Sequence, residues 1–235
     1  MAFCDFKVLT FDVVGTLIDF ERGIVDYVRQ VSNRDRAQLS DDAILESYRR
    51  SRNFAGRDRY PDDLIRGYAA MAKELNLPTG AGLAEGLRDC VRHWPAFPDS
   101  AAALKRLRRR YRLVAMTNAQ RWALAHMEKT LGWPFHDTVT VDDARAEKPD
   151  PQFFAFARGR LSAEGYRLED ILHVAQSQYH DIGVARRLGY TVCWIERRQG
   201  MKGFGGTQEV PELTKPDYHF STLAALADAV EAEGP

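Results

Sequence analysis

The sequence predicts an α/β fold, in which a doubly wound parallel sheet carries an all-helical cap inserted after its first strand. From about residue 98 onward, short β-rich runs alternate with helical stretches. Residues 18–97 have a different pattern, because helical stretches follow one another there without an intervening strand. Strands that alternate with helices are typical of right-handed βαβ crossovers, which build a parallel sheet covered on both faces.

The first element is an apolar strand that ends at Asp12 and is followed by Gly15 and Thr16. A lone carboxylate on a glycine turn after a buried strand is typical of a nucleophile held at the rim of a parallel sheet. Position 14 is a valine, whose side chain cannot transfer protons or coordinate an ion. The pattern therefore predicts a displacement whose leaving group needs no proton.

Four amphipathic helices are predicted in the inserted segment. Their ranges are residues 21–31, 41–54, 61–75 and 81–92. Ser40 is a good N-cap for the second helix, and Pro61 suits the first turn of the third. Ligands of open α/β sheets bind at the carboxyl ends of the strands, so we expect the insert to act as a lid there. The predicted domains are a cap of residues 18–97 and a core of residues 1–17 and 98–235.

The remaining core elements follow in regular alternation and complete a Rossmann-like sheet. The predicted strands are residues 113–117, 138–141, 171–175, 190–195 and 218–220. The predicted helices are residues 120–131, 151–161, 182–188 and 223–230. The glycine-containing stretch 199–215 is predicted to be a flexible loop, and its spacing fits no phosphate-binding or dinucleotide fingerprint.

Composition narrows the class of protein. The 33 basic and 33 acidic side chains are interspersed and give no net charge, so we expect neither a nucleic-acid partner nor a membrane-surface partner. Cys4, Cys90 and Cys193 are too scattered for a disulfide framework or a paired metal site. Without a signal-peptide pattern or a run of about 20 apolar residues, the sequence predicts a cytoplasmic location.

Polar side chains stand at four successive strand ends. They are the Asp12–Thr16 turn, the pair Thr117–Asn118, Lys148 before Pro149, and the segment from Gln176 to Asp181. Each of them alone is equally well explained as a turn, a helix cap or a solvated side chain. All four occur at the edge where parallel strands end, and this coincidence predicts one active site.

In residue type and order, these four stretches resemble the four motifs of the haloacid dehalogenase (HAD) superfamily. The resemblance covers essentially the whole chain, including a helical cap after the first motif. It implies that Asp12 is a covalent nucleophile, that Lys148 keeps Asp12 ionised, and that Asp181 holds Lys148 in place. Thr16, Thr117 and Asn118 would supply hydrogen-bond donors, and the backbone N–H groups of the turn at Val13 and Val14 would bind a substrate carboxylate.

Two departures separate this chain from the magnesium-dependent phosphatases of the superfamily. Val14 stands where they carry a second aspartate, and Gln176 stands where they carry a metal-binding aspartate. Magnesium prefers anionic oxygens, so no metal and no other cofactor is predicted. The chain instead resembles the metal-independent L-2-haloacid dehalogenases. This resemblance implies that Asp12 displaces halide from a short (S)-2-haloacid, and that hydrolysis of the aspartyl ester releases a 2-hydroxy acid.

The same resemblance suggests further contacts with a small carboxylate substrate. Arg49 is expected to receive the halide, and Ser177, Gln178 and Phe154 occupy other positions that touch substrate, halide or water. Phe154 and Gln178 differ from the tyrosine and asparagine of the dehalogenases, and His180 replaces an aromatic residue. Dimers are common in the resembling family, so a homodimer stays open as the assembly, although the sequence alone does not decide the oligomeric state.

Three other functions stay open at the level of sequence. The second is the ring opening of L-azetidine-2-carboxylate, which also needs no general acid, with an aromatic seat for the substrate ammonium. The candidate seat consists of Phe20, Tyr48, Phe54 and Tyr60. The third is a magnesium-dependent phosphatase. The fourth is an inactive scaffold used for binding, which the presence of both Asp12 and Lys148 disfavours.

Overall fold

A computed structural model describes residues 2–52 and 58–234 of the chain. Its centre is a six-stranded parallel sheet in the order β3-β2-β1-β4-β5-β6. The strands are β1 (Val8–Phe11), β2 (Arg112–Met116), β3 (Asp137–Val139), β4 (Ile171–Ala175), β5 (Thr191–Ile195) and β6 (Tyr218–Phe220). The predicted α/β fold with a parallel sheet is therefore confirmed.

The first strand lies at the middle of the sheet and is buried along its whole length. It pairs with β2 on one side and with β4 on the other, so Val8 lies beside both Arg112 and Ile171. Its side chains alternate between the two faces, with Leu9 in one hydrophobic core and Val8 in the other. This central position carries Asp12 to the middle of the carboxyl edge.

Ten α-helices accompany the sheet in the described residues. Four of them lie between β1 and β2: α1 (Phe20–Ser32), α2 (Asp41–Ser51), α3 (Leu64–Leu75) and α4 (Leu83–Asp89). The other six are α5 (Ser100–Leu107), α6 (Arg121–Leu131), α7 (Val141–Ala144), α8 (Pro151–Ala163), α9 (Gly183–Arg187) and α10 (Leu223–Ala232). The side chains of Asp19 and Ser40 accept hydrogen bonds from the first turns of α1 and α2, as N-caps do.

The inserted helices bury an apolar face that is continuous with one face of the sheet. Ile24, Ile44, Leu64 and Met71 are fully buried, and they belong to the same hydrophobic cluster as Leu9. No helix in the described ranges is both long enough and apolar enough to cross a membrane.

Several predicted helix bounds needed correction. Pro61 lies in a turn, and its carbonyl oxygen accepts the N–H of Leu64 at 3.0 Å. Helix α3 therefore begins at Leu64. The helix predicted over residues 81–92 starts at Leu83 and tightens to a 3₁₀ turn at Cys90–His93. Helix α2 ends at Ser51, and Phe54, its predicted end, lies outside the described residues.

Two core elements also differ from their predicted form. Strand β3 ends at Val139 because Thr140 and Asp143 form a capping box that starts α7. The helix predicted over residues 182–188 begins earlier, with a π-helical turn at Gln178–Ile182 that runs into α9. This wide turn contains Asp181, and π turns are frequent at functional sites.

Candidate active site

A cavity of about 450 Å³ opens between the carboxyl edge of the sheet and the inserted helices. All four strand-end stretches contribute to its lining. The core residues that line it include Asp12, Val14, Thr117, Asn118, Lys148, Gln176, Ser177, His180 and Asp181. Phe20, Tyr48, Arg52 and Tyr60 line it from the inserted helices and the turn that precedes α3. The sheet edge thus forms the floor of the cavity and the inserted segment forms its roof.

The nucleophile candidate Asp12 sits on a tight turn with both carboxylate oxygens engaged. Gly15 adopts a φ of +92°, a conformation that strains any side chain with a Cβ. The turn brings the Thr16 hydroxyl back to Asp12, where it donates to Oδ2 at 2.6 Å. The same hydroxyl oxygen accepts the backbone N–H of Gln176 at 2.8 Å. Thr16 therefore connects the first and fourth strand ends.

Lys148 lies under the cavity with 1% of its side chain exposed, and all three of its ammonium protons are engaged. Its Nζ lies 2.9 Å from Asp12 Oδ1, 2.7 Å from Asp181 Oδ1 and 2.8 Å from the Met116 carbonyl oxygen. Asn118 fixes the backbone of Lys148 reciprocally, donating to its carbonyl at 2.9 Å and accepting its N–H at 2.7 Å. The connection between α7 and α8 thereby places one cation between two carboxylates.

The charges of this group depend on one another. Burial raises the pKa of Asp12, although the Lys148 cation and the Thr16 hydrogen bond oppose that rise. Burial also opposes ionisation of Asp181, but Lys148 and His173 outweigh it and hold the pKa of Asp181 at about 2. Burial disfavours the charge of Lys148, and the two carboxylates outweigh it and raise the pKa of the ammonium group. Asp181 and Lys148 therefore stay ionised as a pair, whereas the protonation of Asp12 depends on the balance between its burial and its neighbours.

His173 and Thr10 complete the floor, and sequence reasoning missed both. His173 Nε2 lies 3.0 Å from Asp181 Oδ1, and its Nδ1 lies 2.9 Å from the Thr10 hydroxyl. An ionised carboxylate only accepts hydrogen bonds, so the Nε2–H of His173 is the donor to Asp181. Both residues are fully buried within strands. The sequence offered one signal, which is that Thr10 lies two residues before Asp12, and residues at this spacing in a strand face the same side. His173 lies beside Thr10 in the neighbouring strand β4.

A second network holds the nucleophile turn from outside the cavity. Arg197 donates from Nε to the Thr16 carbonyl oxygen at 2.9 Å, and its NH1 lies 2.8 Å from Asp99 Oδ1. Asp99 Oδ2 also accepts the backbone N–H groups of Leu223 and Ala224 at 2.6 and 3.1 Å. The turn is therefore tied to the first residues of α10.

Among the residues that the structure describes, the cation in the roof is Arg52, and this corrects the assignment of Arg49. Arg52 lines the cavity, where its NH1 lies 2.6 Å from Asp63 Oδ2 and its guanidinium covers the Tyr60 ring at 5.1 Å. Arg49 points elsewhere, because its side chain donates to the Gly205 carbonyl oxygen at 3.1 Å and pairs with Glu209 at 2.6 Å. Arg49 lies within α2 and Arg52 follows its last residue, Ser51, so the two side chains point in different directions.

Phe154 and Gln178 are not among the residues that line the cavity. Phe154 is fully buried in the second hydrophobic core, where its ring packs on His173 at 5.6 Å and on Tyr190 at 5.9 Å. The side chain of Gln178 is occupied by backbone atoms of Thr214, at 3.0 Å to its N–H and 3.3 Å to its carbonyl. The predicted substrate contacts of these two residues are therefore corrected to structural roles.

The remaining predicted site residues divide in a similar way. Ser177 and Thr117 line the cavity, and the Ser177 hydroxyl also accepts the N–H of His180 at 2.9 Å. Val14 lines the cavity too, whereas the Val13 side chain is fully buried in the core. Only the backbone of Val13 can therefore belong to the turn that surrounds the carboxylate.

The donor set around Asp12 does not fit a divalent cation. Both oxygens of Asp12 are engaged by Lys148 and Thr16, and Val14 offers no oxygen. The amide of Gln176 is engaged with the Thr207 hydroxyl at 3.2 and 3.4 Å. Across residues 2–52 and 58–234, no group of three or more His, Cys, Asp or Glu side chains has a metal-binding arrangement. A magnesium ion would need several anionic oxygens. Beside Asp12 the site instead holds the ammonium group of Lys148.

This arrangement can hold a desolvated carboxylate ready for attack and can compensate the charge left after attack. The position two residues after Asp12 is Val14, whose side chain cannot protonate a leaving group. Asp181 Oδ2 is buried and has no hydrogen-bond partner among the described residues, which leaves one acceptor available in the floor. The geometry suits nucleophilic displacement followed by hydrolysis of an ester.

Comparisons with known proteins agree with this geometry. The model of the haloacid dehalogenase-like hydrolases matches residues 6–189. An (S)-2-haloacid dehalogenase of Pseudomonas fluorescens is 26% identical over 204 residues, covering 81% of this chain and 84% of that protein.

Two solved structures illustrate the shared fold. The L-2-haloacid dehalogenase of Xanthobacter autotrophicus with chloropropionic acid covalently bound has a TM-score of 0.67 at 21% identity, over 96% of this chain and 98% of that one. A magnesium-bound HAD hydrolase of Bacillus subtilis has a TM-score of 0.76 at 19% identity, over 96% and 99%. The family model spans most of the chain, so this protein belongs to the haloacid dehalogenase-like hydrolases.

Proposed function

We propose that this enzyme hydrolyses the carbon–halogen bond of a short (S)-2-haloacid and releases the 2-hydroxy acid, using Asp12 as a nucleophile without a metal. The observation that carries the proposal is the setting of Asp12, which Lys148 and Thr16 hold while Val14 occupies the place of an acid. Halide leaves without protonation, so a site that lacks this acid suits a halide.

The first step forms an ester. A carboxylate oxygen of Asp12 attacks the α-carbon from the side opposite the halogen, and the carbon–halogen electron pair leaves with the halide. Lys148 favours the ionised form of Asp12 before the attack. The guanidinium of Arg52 is the cation in the roof, and we assign it the reception of the halide. Thr117 and Ser177, whose side chains line the cavity, are the candidates for binding the substrate carboxylate.

The second step returns the enzyme to its starting state. Water attacks the carbonyl carbon of the Asp12 ester and the bond to the ester oxygen breaks. One proton of the water ends on that oxygen, so the 2-hydroxy acid leaves, and the other is released as Asp12 returns to its carboxylate form. The carboxylate of Asp181 lines the cavity, and its Oδ2 is the candidate acceptor in the floor for a hydrogen bond from that water. His173 and Lys148 hold the other oxygen, Oδ1, and so fix the orientation of the carboxylate.

The relatives support this function. The Pseudomonas fluorescens relative is an (S)-2-haloacid dehalogenase, and the Xanthobacter structure carries covalently bound chloropropionic acid. A covalent adduct in that fold is consistent with an aspartyl ester on Asp12 here.

The test combines halide release with isotope incorporation. Each enantiomer of 2-chloropropionate is incubated with the enzyme, with and without EDTA, and chloride is measured. We expect EDTA-resistant chloride release from the (S) enantiomer. A single turnover in ¹⁸O water should place label in Asp12, as mass spectrometry of the tryptic peptides would show. Label that enters the product and never the protein would contradict the ester.

A matched pair of variants controls the assignment of the nucleophile. Asp12→Asn should abolish turnover, because a neutral amide does not attack a saturated carbon at a useful rate. Asp150→Asn changes an exposed carboxylate at the N-cap of α8 and keeps a residue that caps helices well. Its activity should match that of the wild type. Turnover that survives in Asp12→Asn would refute the covalent scheme.

Charge balance favours ring opening of L-azetidine-2-carboxylate as the second candidate. Within residues 2–52 and 58–234, the cavity lining carries two cations, Arg52 and Lys148, and three carboxylates, on Asp12, Glu147 and Asp181. Arg52 is already paired with Asp63, and Lys148 with both of its carboxylate neighbours. Such a lining suits a substrate that brings an ammonium group of its own.

Aromatic rings in the roof, from Phe20, Tyr48 and Tyr60, are available to seat that ammonium group. Phe54, the fourth residue of the predicted seat, lies outside the described residues. Incubation with azetidine-2-carboxylate separates the candidates. A ring-opened hydroxy amino acid would favour this second function, and EDTA-sensitive phosphate release from a generic phosphate ester would favour a phosphatase.

A further inference from the structure

One side of the active-site cavity is formed by a stretch that belongs to neither a helix nor a strand. Gly206, Thr207 and Gln208 line the cavity there, in the connection between β5 and β6. These three residues form a side wall between the floor and the roof. Gly206 and Thr207 are buried, and Gln208 is half-buried. Neither step of the proposed reaction uses them.

A carboxylate of the inserted segment holds this side wall from outside. Glu21, in the first turn of α1, accepts the N–H of Gly206 on its Oε1 at 2.8 Å. Its Oε2 lies 2.6 Å from Arg198 NH1, and Arg198 NH2 donates to the Lys202 carbonyl oxygen at 3.0 Å. Both side chains of the ion pair are mostly buried. The connection therefore closes around one carboxylate that, among the described residues, lies outside the cavity lining.

Two adjacent glycines show how closely the connection approaches the inserted helices. A Cβ at Gly205 would collide with the Glu21 carboxylate. A Cβ at Gly206 would lie 2.7 Å from the Phe20 ring and 3.2 Å from the Tyr48 ring, and real Cβ atoms essentially never approach another heavy atom within 3.0 Å. Neither position accepts a side chain unless the side wall moves. The wall is therefore fitted to one place.

The side wall also contacts the fourth strand end. Thr207 Oγ1 lies 3.2 Å from Gln176 Nε2, and the backbone N–H of Gln176 donates to the Thr16 hydroxyl oxygen at 2.8 Å. On the other side, Gln208 Nε2 donates to the Arg49 carbonyl oxygen at 3.2 Å, a bond that a change of the Arg49 side chain leaves in place. The wall thus runs from the residues beside the nucleophile turn to the inserted helices.

This course indicates which part of a substrate the side wall meets. The α-carbon and the halogen must lie beside Asp12 in the floor. The cavity volume of about 450 Å³ falls within the range of roughly 300–1,000 Å³ that is typical of pockets for drug-sized ligands. A 2-haloacid whose side chain is a single methyl group fills a small part of it. A longer side chain that leaves the floor toward the roof lies along the side wall.

We propose that the side wall binds the side chain of a 2-haloacid longer than 2-halopropionate, and that Glu21 is the positioning residue that holds this wall. The inference rests on the proposed function and narrows its substrate class to 2-haloacids with an alkyl side chain of several carbon atoms. Neither Glu21 nor the wall takes part in breaking the carbon–halogen bond. Their effect is therefore on KM and on the choice of substrate.

The kinetic test compares a long substrate with a short one. (S)-2-bromohexanoate has three more methylenes than (S)-2-bromopropionate, and each buried methylene contributes about fourfold to binding. We expect the wild type to prefer the hexanoate by about 10-fold in kcat/KM, mostly through KM. This preference should fall to about threefold in Glu21→Gln, whose amide oxygen still accepts the Gly206 N–H, and to about 1 in Glu21→Ala. The kcat for bromopropionate should stay within about twofold of the wild type in both variants.

Two further variants test the assignment. Glu164→Gln is the matched control, because Glu164 also pairs with an arginine, Arg112, at 2.9 Å and lies outside the cavity lining of the described residues. It should keep the preference. Gly206→Ala displaces the wall without removing the ion pair and should lower the preference. A preference near 1 in the wild type, an equal loss on both substrates in the Glu21 variants, or an unchanged preference in Glu21→Ala and Gly206→Ala would overturn the proposal.

Hydrogen exchange separates the failure of this proposal from the failure of the proposed function. Exchange of the peptides that cover residues 203–210 is followed by mass spectrometry in the wild type and in both Glu21 variants, without a substrate. Faster exchange in the variants, larger in Glu21→Ala than in Glu21→Gln, supports the positioning role even if no halide is ever released. Equal exchange in all three proteins overturns it, whatever the halide assay shows.

Discussion

The active-site cavity is bounded by two buried ion-paired clusters, and they are built very differently. The floor cluster consists of Thr10, Asp12, Lys148, His173 and Asp181. The roof cluster consists of Tyr48, Arg52, Tyr60 and Asp63. Each contains a cation within 3 Å of a carboxylate, and the cation is almost fully buried in the floor and mostly buried in the roof.

The clusters differ in how completely their polar groups are satisfied. In the floor, all three protons of Lys148 and both nitrogens of His173 have partners supplied by strands and strand ends. In the roof, the Tyr60 hydroxyl has no partner among the described residues, and the cluster stands on a helix end and a turn. Asp181 Oδ2 in the floor also lacks a partner among the described residues, so the main difference between the clusters is their support, which is the sheet edge for the floor and the inserted segment for the roof.

The largest effect is expected from Lys148→Met. Removal of the cation leaves two buried carboxylates facing each other, which costs about 3–5 kcal/mol in the free energy of unfolding and abolishes halide release. Chemical denaturation and a halide assay measure the two losses. Lys129→Met, which removes an exposed lysine from α6, should change neither. Halide release within 10-fold of wild type would contradict the role of Lys148.

The same variant should reverse the contribution of Asp181 to the pH dependence of stability. In the wild type, the folded pKa of Asp181 is about 2 against an ordinary value of 3.8. Its stabilising contribution is therefore present above pH 3.8 and lost as the pH falls through 2. Without Lys148 the carboxylates prefer to be protonated when folded, so the variant should become more stable as the pH falls from 7 toward 4.

Arg52→Met probes the roof with the corresponding change. Asp63 is fully buried and would lose its contact with the Arg52 guanidinium, so the unfolding free energy should fall by about 1–3 kcal/mol. We expect kcat to fall by roughly 10- to 100-fold, because the ester on Asp12 can still form. Arg52→Met combined with Asp63→Leu should restore stability and leave kcat low. Recovery of kcat in the double variant would show that Arg52 serves only the fold.

Thr16→Val tests how the floor sets the pKa of Asp12. The Thr16 hydrogen bond favours the ionised form, so its removal should raise the pKa of Asp12 further. Only the ionised carboxylate attacks, and the acid limb of the pH profile of kcat/KM should therefore move to higher pH. At neutral pH we expect a loss of about 10-fold. An acid limb that stays in place would show that Lys148 alone governs the nucleophile; Thr130→Val on the surface is the control.

Arg49→Gln should have the smallest effect and sharpen the contrast with Arg52. Arg49 pairs with the exposed Glu209 outside the cavity lining, and pairs of this kind contribute about 0–1 kcal/mol. We expect kcat/KM for a 2-haloacid to stay within about twofold of the wild type. A loss as large as that of Arg52→Met would return the halide-receiving role to Arg49.

The floor was largely predictable because its residues follow strands. Apolar runs between turns identified Ile171–Ala175 and Tyr218–Phe220 with the bounds that the structure shows. Parallel strands end at one edge, so Asp12, Lys148 and Asp181 were expected together. In the structure, Lys148 Nζ lies within 3 Å of a carboxylate oxygen of each aspartate. His173 escaped notice because a histidine inside an apolar strand gives no sign of what it faces.

The roof and the helix faces were less predictable. Whether Arg49 or Arg52 reaches the cavity depends on where α2 ends, and helix ends are poorly specified by local sequence. Phe154 was assigned by its spacing from Lys148, but α8 turns it toward His173 and the second core. Tertiary packing decides such directions, and a spacing along the chain does not contain that information.

The contacts of Asp99 have a consequence for biosynthesis. Asp99 accepts the N–H groups of Leu223 and Ala224 and holds Arg197, which in turn donates to the turn behind Asp12. Leu223 and Ala224 are translated after Asp12 and after every other element of the sheet, yet they contribute to the support of its turn. A nascent chain can therefore complete that support only once the start of α10 has left the ribosome.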